Sequence, residues 1–112
     1  MNGTNQTPSR DWETVVKNVV FKYVDPKETT IFLFGSRAEG TERRASDYDV
    51  GFFGPQKISF RIFSQIRDEL DQTSFPYDID FVDFSTAAED FRKIALKTIK
   101  LWSNPTNGFN QK

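Results

Sequence analysis

The stretch that most restricts what this chain can become runs from Thr30 to Asp49. Thr30-Ile31-Phe32-Leu33-Phe34 is a continuous apolar run of strand-forming residues, the pattern of a buried strand. Gly35-Ser36 follows at once, and after ten intervening residues comes Asp47-Tyr48-Asp49. Alternate side chains of a strand share a face. A second strand over 47–53 therefore sets Asp47, Asp49 and Gly51 on one side and Tyr48, Val50 and Phe52 on the other. Two carboxylates held side by side repel, and such a pair persists where a cation neutralises it. Gly35 and Ser36 offer flexible backbone and a hydroxyl at a turn, suited to gripping phosphate oxygens through main-chain N–H groups. Taken singly, an Asp-x-Asp is more often a polar strand end and a glycine an ordinary turn. Together they point to metal-assisted phosphoryl or nucleotidyl transfer.

Composition narrows the chemistry. With 112 residues the chain makes one domain, and its twelve phenylalanines suffice for a dense core. The net charge of −1 argues against direct nucleic-acid binding, which needs a basic surface. There is no cysteine and no histidine, so disulfides, thiolate sites and the commonest general base are excluded. A metal here must be held by oxygen, which favours Mg²⁺ or Mn²⁺. No apolar run approaches a membrane span, and the first residues lack the pattern of a signal peptide, so a cytoplasmic location is expected.

Along the chain, residues 1–8 and 103–112 read as flexible ends around a domain over 9–102. Ser9 or Thr7 is expected to cap a helix with Trp12, Val15, Val16, Val19 and Tyr23 at helical spacing. Asp25-Pro26 ends it. Ser36 to Ala38 reads as a short helical turn, and 41–46 as a charged connector. A second helix from Ser59 to Asp71 carries Phe60, Ile62, Phe63, Ile66 and Leu70 inward. Tyr77 to Phe84 alternates as a third strand. Thr86-Ala87-Ala88-Glu89 reads as a capping box before a last helix with Phe91, Ile94, Ala95, Thr98 and Trp102 inward. The expected fold is α/β (α+β), in the order α-β-β-α-β-α, with a mixed sheet of three or more strands and helices packed on one face. The first two strands should lie antiparallel, and the second helix is long enough to make a parallel crossover to the third.

Gly-Ser, ten residues, then Asp-x-Asp is also the signature of the minimal nucleotidyltransferases of the DNA polymerase β superfamily, which this chain closely resembles over roughly 10–102. It carries the motif as Gly35-Ser36 and Asp47-Tyr48-Asp49, and the later acidic strand as Ile79-Asp80-Phe81-Val82-Asp83. Gly51-Phe52-Phe53 departs from the smaller aliphatics more usual there. The resemblance implies a nucleotidyltransferase fold in which Asp47 and Asp49 bind two Mg²⁺ ions, with Asp80 sharing a metal and standing as the candidate base. By parity Asp83 falls on the apolar side, and Asp78 shares the face of Asp80 nearer the strand start. Gly35 and Ser36 are assigned to the nucleotide phosphates, with Arg37 as a further contact. Arg43 and Arg44 read more simply as solvated connector, Lys93, Lys97 and Lys100 as a solvated helix face, and Trp12 and Trp102 as core.

Larger relatives carry further domains for the acceptor. The resemblance therefore implies an acceptor surface from a separate helical partner of the HEPN kind, in a hetero-oligomer. The chain would be the antitoxin, transferring AMP from ATP to a tyrosine of a toxin. Two other readings stand beside it: a binding module that neutralises the partner by occlusion, and a nucleotidyltransferase acting on a small molecule such as an aminoglycoside.

Overall fold

The computed structural model describes residues 11–35, 38, 48–95 and 97–105. Its elements are α1 (Trp12–Tyr23), β1 (Thr30–Phe34), β2 (Tyr48–Phe53), α2 (Phe60–Gln72), β3 (Ile79–Asp83), α3 (Ala88–Ala95) and β4 (Lys100–Ser103). The strands form one mixed sheet in the order β3-β2-β1-β4. β1 is antiparallel to β2 and β4, and β2 is parallel to β3. The expected mixed sheet of three or more strands is thus observed, but the helices do not all pack on one face: Phe91 and Ile94 of α3 lie against the side opposite α1 and α2, drawn there by the aromatic residues of that face. No helix among the described residues is long and apolar enough to cross a membrane.

α1 starts later than the expected caps at Thr7 or Ser9, which lie outside the described residues. Its N-cap is Asp11, whose carboxylate accepts from the Thr14 amide at 3.2 Å and the Thr14 hydroxyl at 2.7 Å. Aspartate serves as well as serine here because one oxygen satisfies an orphan helix amide. Ser59 caps α2 in the same way, accepting from the Ile62 amide at 3.3 Å. Phe60, expected inside, is 82% exposed. As the first helical residue it projects beyond the stripe formed by the buried Ile66 and Leu70.

Both helices cover the face carrying Ile31, Leu33, Tyr48, Val50 and Phe52, and Val16, Val19, Val20, Ile66 and Leu70 complete that core. The opposite face is not bare. Phe32 lies there with Phe84 and with Phe91 of α3, joined by Phe34, Phe53, Val82, Ile94 and Ile99. The Phe53 and Phe91 rings stack with centroids 4.2 Å apart. Residue 51 is a glycine for a packing reason: a Cβ there would sit 2.3 Å from the buried Phe32 ring.

The last helix ends at Ala95, and Trp102 is not on it as expected. Lys100–Ser103 instead pairs with the outer edge of β1. An uncovered edge leaves backbone groups unpaired, and β4 supplies their partners. Ser103 reinforces the pairing, its hydroxyl donating to the Thr29 carbonyl at 2.7 Å and accepting from the Ile31 amide at 3.1 Å. Trp102 enters the α1 side of the sheet and donates its indole N–H to Glu13 Oε2 at 2.9 Å.

α1 and α2 are also tied by Glu69, which accepts from Lys22 and, at 2.7 Å, from the Tyr23 hydroxyl. The bond from Lys22, followed by that from Tyr23, holds the Glu69 carboxyl below the usual range; accepting them raises Lys22 and Tyr23. Glu69's share of stability is present above its unfolded value of 4.5 and is lost as pH falls through the lower folded value. Tyr23's share runs the other way, present below 10.0 and lost as pH rises past it. With Lys22 exposed, the effect is small and weakens in salt. Glu69→Gln is expected to flatten the acid limb of stability below pH 4.5. Urea midpoints at low salt between neutral pH and that limb check it.

Candidate active site

The sheet register builds the site. Asp49 of β2 lies opposite Phe34 of β1 and, on its other side, opposite Asp80 of β3. Directly opposed residues in adjacent strands project to the same face, with the strands about 4.8 Å apart. The two carboxylates therefore stand side by side, Asp49 half-buried and Asp80 exposed. They share the face of Phe32 and Val82, away from α1 and α2.

Gly35 closes the site from β1. Its φ of +79° lies in the left-handed region, which glycine adopts without strain. A Cβ at Gly35 would sit 2.4 Å from Asp49 Oδ2, so the bare backbone at 35 is what makes room for the Asp49 carboxylate. The Ala38 amide donates to the Gly35 carbonyl at 3.1 Å. Ser36, Arg37 and Asp47 lie outside the described residues, as do Arg43 and Arg44.

Two of the three expected carboxylates are thus brought together, and among the described residues they form a pair rather than a cluster of three. The donors are all oxygen, the two acids are adjacent, and the backbone beside them is cut back to a glycine. That arrangement fits a hard divalent cation such as Mg²⁺ or Mn²⁺.

Neighbouring acids and bases divide by role. Asp83 is a staple: Oδ2 accepts from the Ile58 amide at 2.8 Å and Oδ1 from the Ser85 amide at 2.9 Å. Asp78 is exposed, and its carbonyl accepts from the Tyr48 amide at 2.9 Å, starting the β2–β3 ladder. The lysine line is broken. Lys93 stays on α3, Lys97 follows its end, and Lys100 on β4 reaches Glu13 Oε1 at 3.0 Å. One residue the sequence did not single out is Arg67 of α2, whose Nη1 donates to the Ile79 carbonyl at 2.7 Å, next to Asp80. No periodicity marks it, since its partner is backbone on a distant strand.

The family described as "Polymerase beta, Nucleotidyltransferase" matches residues 16–106. A protein of Haemophilus influenzae named "Probable protein adenylyltransferase MntA" is 28% identical over 83 residues, covering 74% of this chain and 71% of that protein. A crystal structure of a toxin–antitoxin with AMP-PNP aligns with a TM-score of 0.58 at 25% identity, over 79% of this chain and 73% of the other. A tri-AMPylated Shewanella oneidensis HEPN toxin in complex with MNT antitoxin aligns at 0.53 and 20% identity, over 82% and 73%, a likeness of fold. With the family's match spanning most of the sheet and its helices, and with Asp49 and Asp80 in register, the chain belongs to the polymerase beta nucleotidyltransferase family.

Proposed function

We propose that this chain transfers AMP from ATP to a tyrosine hydroxyl of a helical HEPN-type toxin, and is that toxin's antitoxin. The observation that carries the proposal is the in-register Asp49–Asp80 pair beside the left-handed Gly35. The names of its relatives, a protein adenylyltransferase and antitoxins solved with HEPN toxin or AMP-PNP, support the choice of nucleotide and acceptor.

Asp47, Asp49 and Asp80 are the residues that would hold Mg²⁺. Bound there, the metal supplies Lewis-acid stabilisation of charge on the transferring phosphoryl group and the leaving pyrophosphate. Gly35 and Ser36 are assigned to the phosphate oxygens, which main-chain N–H groups and a hydroxyl suit, and Arg37 is assigned as a further charged contact. In a chain without histidine, we assign the Asp80 carboxylate to take the proton of the attacking hydroxyl. The acceptor oxygen bonds to the α-phosphorus as the bond to the β-phosphate bridging oxygen breaks. Catalysis then rests on orientation and charge neutralisation.

Incubation with α-labelled ATP, Mg²⁺ and the proposed HEPN-type partner is expected to move label to a tyrosine of that protein, located by mass spectrometry. Absence of label on the partner, with ATP shown to bind, overturns the proposal. Silencing of the toxin by an unreactive variant as well as by the wild type would assign the neutralisation to occlusion instead.

A further inference from the structure

Among the described residues β3 is an outer strand, hydrogen-bonded within the sheet to β2 alone, so Asp80 stands on a strand with one open edge there. In the parallel ladder that aligns Tyr48 with Ile79, the Tyr48 amide reaches back to the Asp78 carbonyl. That pattern turns the Asp80 amide toward β2 and the Ile79 carbonyl outward. Arg67 occupies this outer position. Its Nη1 donates to the Ile79 carbonyl at 2.7 Å, and its guanidinium carbon lies 4.9 Å from the Phe81 ring centroid. One turn earlier on α2, Phe63 stacks on the same ring at 5.1 Å with the planes 13° apart.

Ile79 and Phe81 are the two neighbours of Asp80, and both face α2 while Asp80 faces the other way. The Ile79 carbonyl and the Asp80 amide belong to one planar peptide group. Arg67 grips that plane from outside while β2 holds it from inside. The tilt of the plane sets φ at Asp80, and with it the direction in which the carboxylate leaves the strand.

We propose that Arg67 is a positioning residue that aims the Asp80 carboxylate at its place beside Asp49. The inference rests on the role given to Asp80 above. Arginine suits the task because its planar fork donates and lies on an aromatic ring at once, which an ammonium does less well.

The test compares Arg67→Met, Arg67→Lys and Asp80→Asn in the full chain. Methionine keeps a stem on Phe81 but cannot donate. Three quantities are read: Mn²⁺ binding by calorimetry with an α,β-methylene ATP that is not turned over, hydrogen exchange at the Asp80 amide, and AMP transfer to the helical partner. Arg67→Met is expected to exchange faster at Asp80, to bind Mn²⁺ about tenfold more weakly, and to lose about tenfold in kcat with the KM for ATP within about twofold. Arg67→Lys should fall between it and the wild type; it also serves as the reporter if the methionine variant does not fold. Mn²⁺ binding and kcat within about twofold of wild type in the Arg67 variants, with both lost in Asp80→Asn, overturn the positioning role. Wild-type behaviour of Asp80→Asn overturns the assignment of Asp80, and the Arg67 proposal with it.

Discussion

Asp49→Asn is expected to cut AMP transfer by on the order of a thousandfold or more, without unfolding the chain. The substitution keeps the shape of the side chain and removes its charge, from the one position in register with both Phe34 and Asp80. Charge stabilisation of a transferring phosphoryl group by a held cation is worth several kcal/mol, and about 4 kcal/mol already corresponds to that thousandfold. Asparagine satisfies the same hydrogen-bond geometry with one oxygen, so stability should stay within about 1 kcal/mol of wild type. Thermal melts separate the two effects. Mg²⁺ with ATP should raise the melting temperature of the wild type by mass action and leave that of the variant almost unmoved. Transfer above a tenth of the wild-type rate would remove Asp49 from the machinery.

Gly35→Ala should act on the same carboxylate from the other side. The added methyl carries two penalties. A left-handed φ of +79° costs an L-residue about 1–2 kcal/mol, and a Cβ 2.4 Å from Asp49 Oδ2 forces the carboxylate to swing away or the turn to open. Displacing a reacting group by about 1 Å can cost about a hundredfold, and that is the loss expected in kcat. Since both substitutions disturb one carboxylate, Gly35→Ala combined with Asp49→Asn should be no slower than Asp49→Asn alone. A kcat for Gly35→Ala within about threefold of wild type would show that the backbone at 35 yields without moving the site.

Local pattern explains what the sequence made legible. β1 is an unbroken apolar run, β2 alternates around Tyr48, Val50 and Phe52, and α2 repeats Ile62, Ile66 and Leu70 at helical spacing, so each element declares its own period. The shared face of Asp49 and Asp80 was legible in the same alternation, because Ile79 and Phe81 had to face the core, whereas alternation does not set the register that aligns the two acids across β2 and β3. The misses share a different cause. Phe91, Ile94, Thr98 and Trp102 fit a helix by spacing, yet four residues from Lys100 fit a strand as well, and the outcome depends on the open edge of β1, where Ile31 lies 72 residues before Ser103 in the chain. The second aromatic cluster was hidden because Phe32 and Phe34 sit within a run that looks apolar on both sides. Arg67 was hidden because its partners are a carbonyl and a ring on another element.

The far end of the Phe32 ring meeting Gly51 carries a consequence for any attempt to rework this scaffold. The two positions occupy a single volume divided between adjacent strands, so neither can be enlarged alone. Libraries that vary them independently would fill with collisions, whereas exchanging bulk between them as a couple preserves the total and leaves the neighbouring acids where they stand.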